Sequence, residues 1–152
     1  MKAIIALFLT ASLFTGSVEK KDGFRKFYRQ YKHETGVINF AVPSFIFKIA
    51  ANGQDEEVKM IAKSTNKVRL MIKEDDGDDL YLQLDKYLTA DIYKPLLHVK
   101  DGSSYVKIVA KVKDNELNEI IIAVNDEDSF VAIQLKGDYT VDMIAEMAEM
   151  ID

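Results

Sequence analysis

The sequence predicts an α+β domain: an antiparallel four-stranded meander, extended by two further strands into a mixed sheet, with helices packed on it and a C-terminal helix. Three observations predict this. From Tyr93 onward, alternating apolar segments are separated by short turn sequences. Before Tyr93, helical and strand periods interleave. The 152 residues are 48% hydrophobic and 30% charged with only 7 Gly and 2 Pro, which suits one globular domain and excludes collagen-like or disordered chains.

Met1-Lys2 is a positive end, Ala3 to Phe14 is an uncharged run, and the small residues Thr15 and Ser17 suit cleavage after Ser17. That order is the pattern of a secretory signal peptide, and the run is shorter than the roughly 20 apolar residues of a spanning helix. A buried N-terminal helix is the competing reading. The expectation is a signal peptide over residues 1–17, a single domain over 18–152 with no transmembrane anchor, and export to the periplasm or the exterior.

In the segment from Asp22 to Glu34, Phe24, Phe27, Tyr28 and Tyr31 recur at the spacing of one helix face, and Gly36 stops the helix. Val37 to Val42 is β-branched and aromatic, a strand ending at Pro43. A short helix from Ser44 to Ala51 is broken by Asn52-Gly53, and a second, Asp55 to Ser64, carries acids in its first turn. Lys67 to Lys73 alternates as a strand. This strand and the first either form a parallel pair or flank the meander as antiparallel edges. Glu74 to Asp79 is an acidic turn into a helix, Asp79 to Ala90; Ile72 and Gln83 stand where an EF-hand loop needs oxygen ligands, so no calcium site is expected.

Four strands follow, Tyr93 to Lys100, Tyr105 to Lys113, Asn118 to Asn125 and Phe130 to Lys136, and then a helix from Val141 to Ile151 capped by Thr140. Alternation sets the register. Val106, Ile108, Ala110 and Val112 face Val124, Ile122, Ile120 and Asn118 around a three-residue loop, Asp114-Asn115-Glu116. Val124, Ile122 and Ile120 then meet Val131, Ile133 and Leu135, and Leu97 and Val99 extend this core face, onto which the helices should pack.

On the opposite face Glu119 falls between Lys111 and Lys136, as expected of a surface open to water. Beside it Leu96, Val109 and Ile121 form an apolar row, with Ala123 and Ala132 adjoining. Either a helix of the first half covers the row or it is a partner surface. A second candidate surface is the basic helix of Arg25, Arg29 and Lys32, because Lys20 to Glu34 holds six basic residues against two acids in a chain of net charge -5. A solvated helix face is the competing reading there.

The absence of cysteine excludes disulfides, thiol nucleophiles and thiolate-bound metals. The net negative charge argues against nucleic acid as a partner. His33 and His98 have no metal or triad spacing around them and read as surface residues; no phosphate loop or nucleophile elbow occurs, and no cofactor is expected.

The run FRKFYRQYKHETGVINFAVPSFIFKIA, the strand KVRLMIKED, the segment LLHVKDG and the stretch ELNEIIIAVNDEDSFVAIQLKGDYTVDMIAEM resemble the exported Bacteroidetes proteins grouped as domain of unknown function 4252. The likeness covers nearly the whole mature chain and includes no catalytic motif. It implies an envelope protein with no established activity. Members are often lipoproteins, for which this chain has no cysteine.

The expected function is a non-enzymatic binding or protein-interaction module of the bacterial envelope, acting on a protein partner or as a homodimer. The alternative is a small-ligand carrier or hydrolase with a cavity between helices and sheet, using Tyr28, Tyr31 or His98.

Overall fold

The computed structural model describes residues 23–145 apart from residue 115. The expected signal peptide and the helix beyond residue 145 lie outside the described residues. The elements run α1 (Gly23–Tyr31), β1 (Val37–Pro43), α2 (Ser44–Ala51), α3 (Glu56–Ser64), β2 (Thr65–Glu74), α4 (Asp78–Tyr87), β3 (Lys94–Asp101), β4 (Ser104–Lys113), β5 (Glu116–Asn125) and β6 (Ser129–Tyr139). Residues 141–145 are helical and are labelled α5.

All six strands form one sheet in the order β1-β2-β6-β5-β4-β3. Every pairing is antiparallel, so the expected mixed sheet is corrected. The reason lies in the connection between the first two strands. α2 and α3 have 8 and 9 residues and pack on each other, so their advances of about 1.5 Å per residue largely cancel. Lys67 of β2 therefore sits opposite Pro43 of β1, and β2 must run back along it.

The register expected for the last three strands is present at Val106–Val124, Ile108–Ile122, Ala110–Ile120, Val124–Val131, Ile122–Ile133 and Ile120–Leu135. It departs at one end. Val112 meets Leu117 rather than Asn118 across a bulge, and the hairpin closes on the pair Lys113–Glu116. Its loop is thus shorter than the three residues expected. Asp114 takes φ 52°, the left-handed conformation that tight hairpins need and that Asp tolerates. The bulge gives the core position to Leu117 and takes Asn118 out of the ladder, half-buried, with its Oδ1 buried and unpartnered among the described residues.

Helices cover both faces of the sheet, so of the two readings of the second face it is cover by helices of the first half that the structure has. On the first face α3 and α5 contribute Ile61 and Ile144 to a cluster with Val68, Ile108, Ile120 and Leu135. On the second, the aromatic stripe Phe24, Phe27 and Tyr28 of α1 and Leu80 and Leu84 of α4 close over Met71, Val109, Ile121 and Phe130. Ala123 and Ala132 lie in that cluster. Their small side chains leave room for the rings, and Phe27 packs edge-on to Phe130 with centroids 6.4 Å apart. At the foot of α4, Gly77 is dictated by space, because a Cβ there would stand 2.3 Å from Cβ of Phe130.

The start of β2 is tied to the end of β6 by a buried relay. The Thr65 hydroxyl donates to the Ile61 carbonyl at 2.6 Å, so the Tyr139 phenol, 2.8 Å away, is the donor to Thr65. Burial pushes the Tyr139 phenol up to about 12, against a smaller lowering by the Thr65 bond. Tyr139→Phe is expected to cost about 1 kcal/mol at pH 7. Above pH 10 an unfolded phenol loses its proton while the folded one keeps it, so the folded state binds more protons and stability falls with rising pH. The wild-type advantage over Tyr139→Phe should be constant below pH 10 and shrink toward pH 12. Urea unfolding of both proteins at pH 7, 9, 10 and 11 checks the sign.

Candidate functional site

The apolar row read from the sequence is not an open surface. Val109 and Ile121 are 1% and 0% exposed, within the aromatic cluster beneath α1 and α4. Leu96 stands apart from them, left unpaired by a bulge between Pro95 and Leu97 on the edge strand β3. The helical cover forms because α1 is fastened at both ends. The Phe24 amide donates to the Tyr93 hydroxyl at 3.0 Å, and the Tyr28 hydroxyl donates to Asn39 of β1 at 3.1 Å.

The charge set beside the row is also covered. Glu119 pairs in register with Lys111 and Lys136 as expected, but it is 4% exposed rather than open to water. Its Oε1 accepts a hydrogen bond from Gln134 Nε2, its Oε2 lies 3.9 Å from Lys111 Nζ, and Gln134 Oε1 accepts from Arg69 Nη1 at 3.0 Å. The Arg69 guanidinium also lies 5.8 Å from the centre of the Tyr28 ring. Arg69, Gln134 and Glu119 thus form a continuous line under α1, in which Glu119 Oε2 is buried with no hydrogen-bond partner among the described residues and is faced by the Lys111 ammonium.

Of the basic helix, Arg25 and Arg29 are exposed on α1 and face β2. Lys32 is half-buried in the turn that follows, where its carbonyl accepts from Asn39 Nδ2 at 2.6 Å. The helix ends at Tyr31, so Lys32 does not continue the row of its arginines. Tyr28, Tyr31 and His98 do not converge. The Tyr31 hydroxyl donates to Gln83 of α4 at 3.2 Å and Tyr28 is bonded to β1, whereas His98 is exposed on β3, at the other edge of the sheet. A cleft of about 310 Å³ lies between α2 and α3 and is lined by Lys48, Ile49, Ala51, Asn52, Lys59 and Lys63, none of them expected from the sequence. Among the described residues no group of three His, Asp or Glu side chains is placed to hold a metal ion.

The most extensive candidate is the first sheet face, away from α1 and α4. One row of it reads Ile38, Ile72, Val131, Val124, Val106 and Val99, in register across all six strands. The next reads Phe40, Leu70, Ile133, Ile122, Ile108 and Leu97. Neither row contains a polar residue. Ile38, Phe40 and Val99 are 53%, 43% and 44% exposed, and α2, which leaves β1 at Pro43, adds exposed Phe45, Ile46 and Ile49. Between these ends the rows are half-buried, and Ile108 and Ile122 are buried in the cluster with Ile61 and Ile144.

Residues 31–147 match the family model described as domain of unknown function (DUF4252). A search among curated proteins finds no match.

Proposed function

Because the chain belongs to the family described as domain of unknown function 4252, whose description carries no activity, its surfaces have to supply the reading; we propose that it is an exported, non-enzymatic protein-interaction module that docks through the apolar face of its sheet. The observation that carries this is the pair of uninterrupted apolar rows, ending in exposed Ile38, Phe40 and Val99. The rows are open at their ends, at Ile38, Phe40 and Val99, and exposed apolar residues grouped on one face mark interaction sites.

The partner the face fits is a second copy of the chain. With no charge on either row, the face offers nothing for a polar partner to complement, whereas a two-fold axis would lay apolar row on apolar row. Such sheets pack about 10 Å apart with interdigitated side chains. The exposed Phe45, Ile46 and Ile49 of α2 would add apolar contacts at the rim.

Light scattering on wild type and on Ile38→Asp/Val99→Asp tests this. Both positions are already exposed, so the variant should keep the wild-type circular dichroism spectrum. The expected result is a wild-type dimer and a folded, monomeric variant. A wild type that stays monomeric at high concentration would overturn the dimer.

A further inference from the structure

A different part of the molecule carries an unbalanced charge. Lys67 of β2 and Lys136 of β6 stand directly opposite each other, an arrangement that costs stability because like charges meet across the pair. Arg69 lies two residues along β2 on the same face. From above, α1 brings Arg25 and Arg29, one turn apart, so that Arg25 repels both Lys67 and Arg69, and Arg29 repels Arg69.

Among the described residues the carboxylate that acts on these cations is Glu119, which attracts Arg69 less than Arg25 repels it. None of Arg25, Arg29, Lys67 and Lys136 has an acidic group within ion-pair distance among the described residues. Glu119, opposite Lys136, is engaged by Gln134 and lies toward Lys111. The repulsion registers on the groups themselves. Lys67 is held below its ordinary value by Arg69 first, then by burial, Lys136 and Arg25. Arg69 is lowered by burial first, then by Arg25 and least by Arg29, against raising by Tyr28 and Glu119 that is smaller than the effect of Arg25.

We infer that this corner binds a phosphate group, either a soluble phosphate ester or the headgroup of an anionic lipid, with Arg69 as its fixed anchor and Lys67, Lys136, Arg25 and Arg29 supplying charge. Arg69 is pre-positioned: one donor is committed to Gln134 at 3.0 Å and the guanidinium carbon lies over the Tyr28 ring, 5.8 Å from its centre. The rest of the guanidinium fork remains for a ligand, and that fork matches the oxygens of phosphate. The two lysines, with Cα atoms about 5 Å apart, straddle the same place. A phosphate carries up to two negative charges where a carboxylate carries one, so it turns the mutual repulsion into attraction. Lys67, Arg25 and Arg29 are exposed and Arg69 and Lys136 half-buried, so the corner is open to a solute.

Calorimetric titration with inorganic pyrophosphate at low salt tests the site on wild type and on Lys67→Gln/Lys136→Gln. Wild type should bind saturably, one per chain, and the double variant at least about tenfold more weakly. Without ligand the variant should melt at or above the wild-type temperature, because a repulsion is gone. Pyrophosphate should raise the melting temperature of wild type only. Arg25→Gln/Arg29→Gln, at exposed positions, should weaken binding too and carries the test if the lysine variant misfolds. Sedimentation with phosphatidylglycerol vesicles that pyrophosphate competes away assigns the lipid headgroup; pyrophosphate binding without sedimentation assigns a soluble ester. Absence of saturable binding to both probes, or equal binding by wild type and the variants, would overturn the inference.

Discussion

Ile121→Asp is expected to abolish folding. Ile121 is fully buried on β5, in one cluster with Phe24, Phe27, Val109 and Ala123. Removing its side chain forfeits about 2–3 kcal/mol of apolar burial. A carboxylate in its place either loses its hydration or takes up a proton, at a further cost of several kcal/mol. The sum exceeds the roughly 5 kcal/mol at the lower end of domain stability. Far-ultraviolet circular dichroism and a urea curve at pH 7 read the result, with Ile121→Val as the control, expected to remain folded at a cost of about 1 kcal/mol. A folded Ile121→Asp with a native spectrum would mean that α1 does not seal this face. The contrast with Ile38→Asp/Val99→Asp is the useful part, since those aspartates arrive on the other side of the sheet at exposed positions.

The register that decides which residue faces which way was legible in the sequence, because a one-residue slip would turn every branched side chain of β4, β5 and β6 outward. What lies above each face was not. Val109, Ile121, Ala123 and Ala132 look like a modest apolar row among Lys111, Glu119 and Lys136. Only the arrival of α1 and α4 makes that row the floor of an aromatic core. The stripe Phe24, Phe27 and Tyr28 announced that α1 needed a floor, but periodicity says nothing about which floor. The small residues Ala123 and Ala132 were the available signal, since bulky rings require small neighbours.

The candidate surfaces were hidden for a related reason. Arg25 and Arg29 are visible as one basic helix face, but Lys67 and Lys136 come together only once β2 is placed beside β6. That placement depends on the reversal made by α2 and α3, which leaves no periodic trace in the strands. The apolar rows show the same dependence. Their β4, β5 and β6 members were read as a core face, and the exposed ends Ile38 and Phe40 joined them when β1 proved to be an antiparallel edge on β2.

Gly137→Ala should be the most damaging glycine-to-alanine substitution among the described residues. Gly137 sits in β6 opposite Thr65, where the end of α3 passes over the sheet. A Cβ at this position would stand 1.9 Å from the Ser64 carbonyl oxygen, 2.8 Å from its carbon and 2.9 Å from Cα of Thr65. All three are backbone atoms, so no rotamer change relieves the overlap. The junction of α3 and β2 must move instead, pulling at the Thr65–Tyr139 and Thr65–Ile61 hydrogen bonds together. Overpacking of this kind costs roughly 3 kcal/mol or more. Gly53→Ala separates the clash from a backbone effect. Gly53 has φ +91° and nothing within 4 Å of a Cβ, so alanine there meets only dihedral strain, about 1–2 kcal/mol. Thermal melts of the two variants should therefore show a large loss at Gly137 and a small one at Gly53. Equal losses would mean that β6 yields freely at this crossing, and that the path of α3 over the sheet is not what demands glycine.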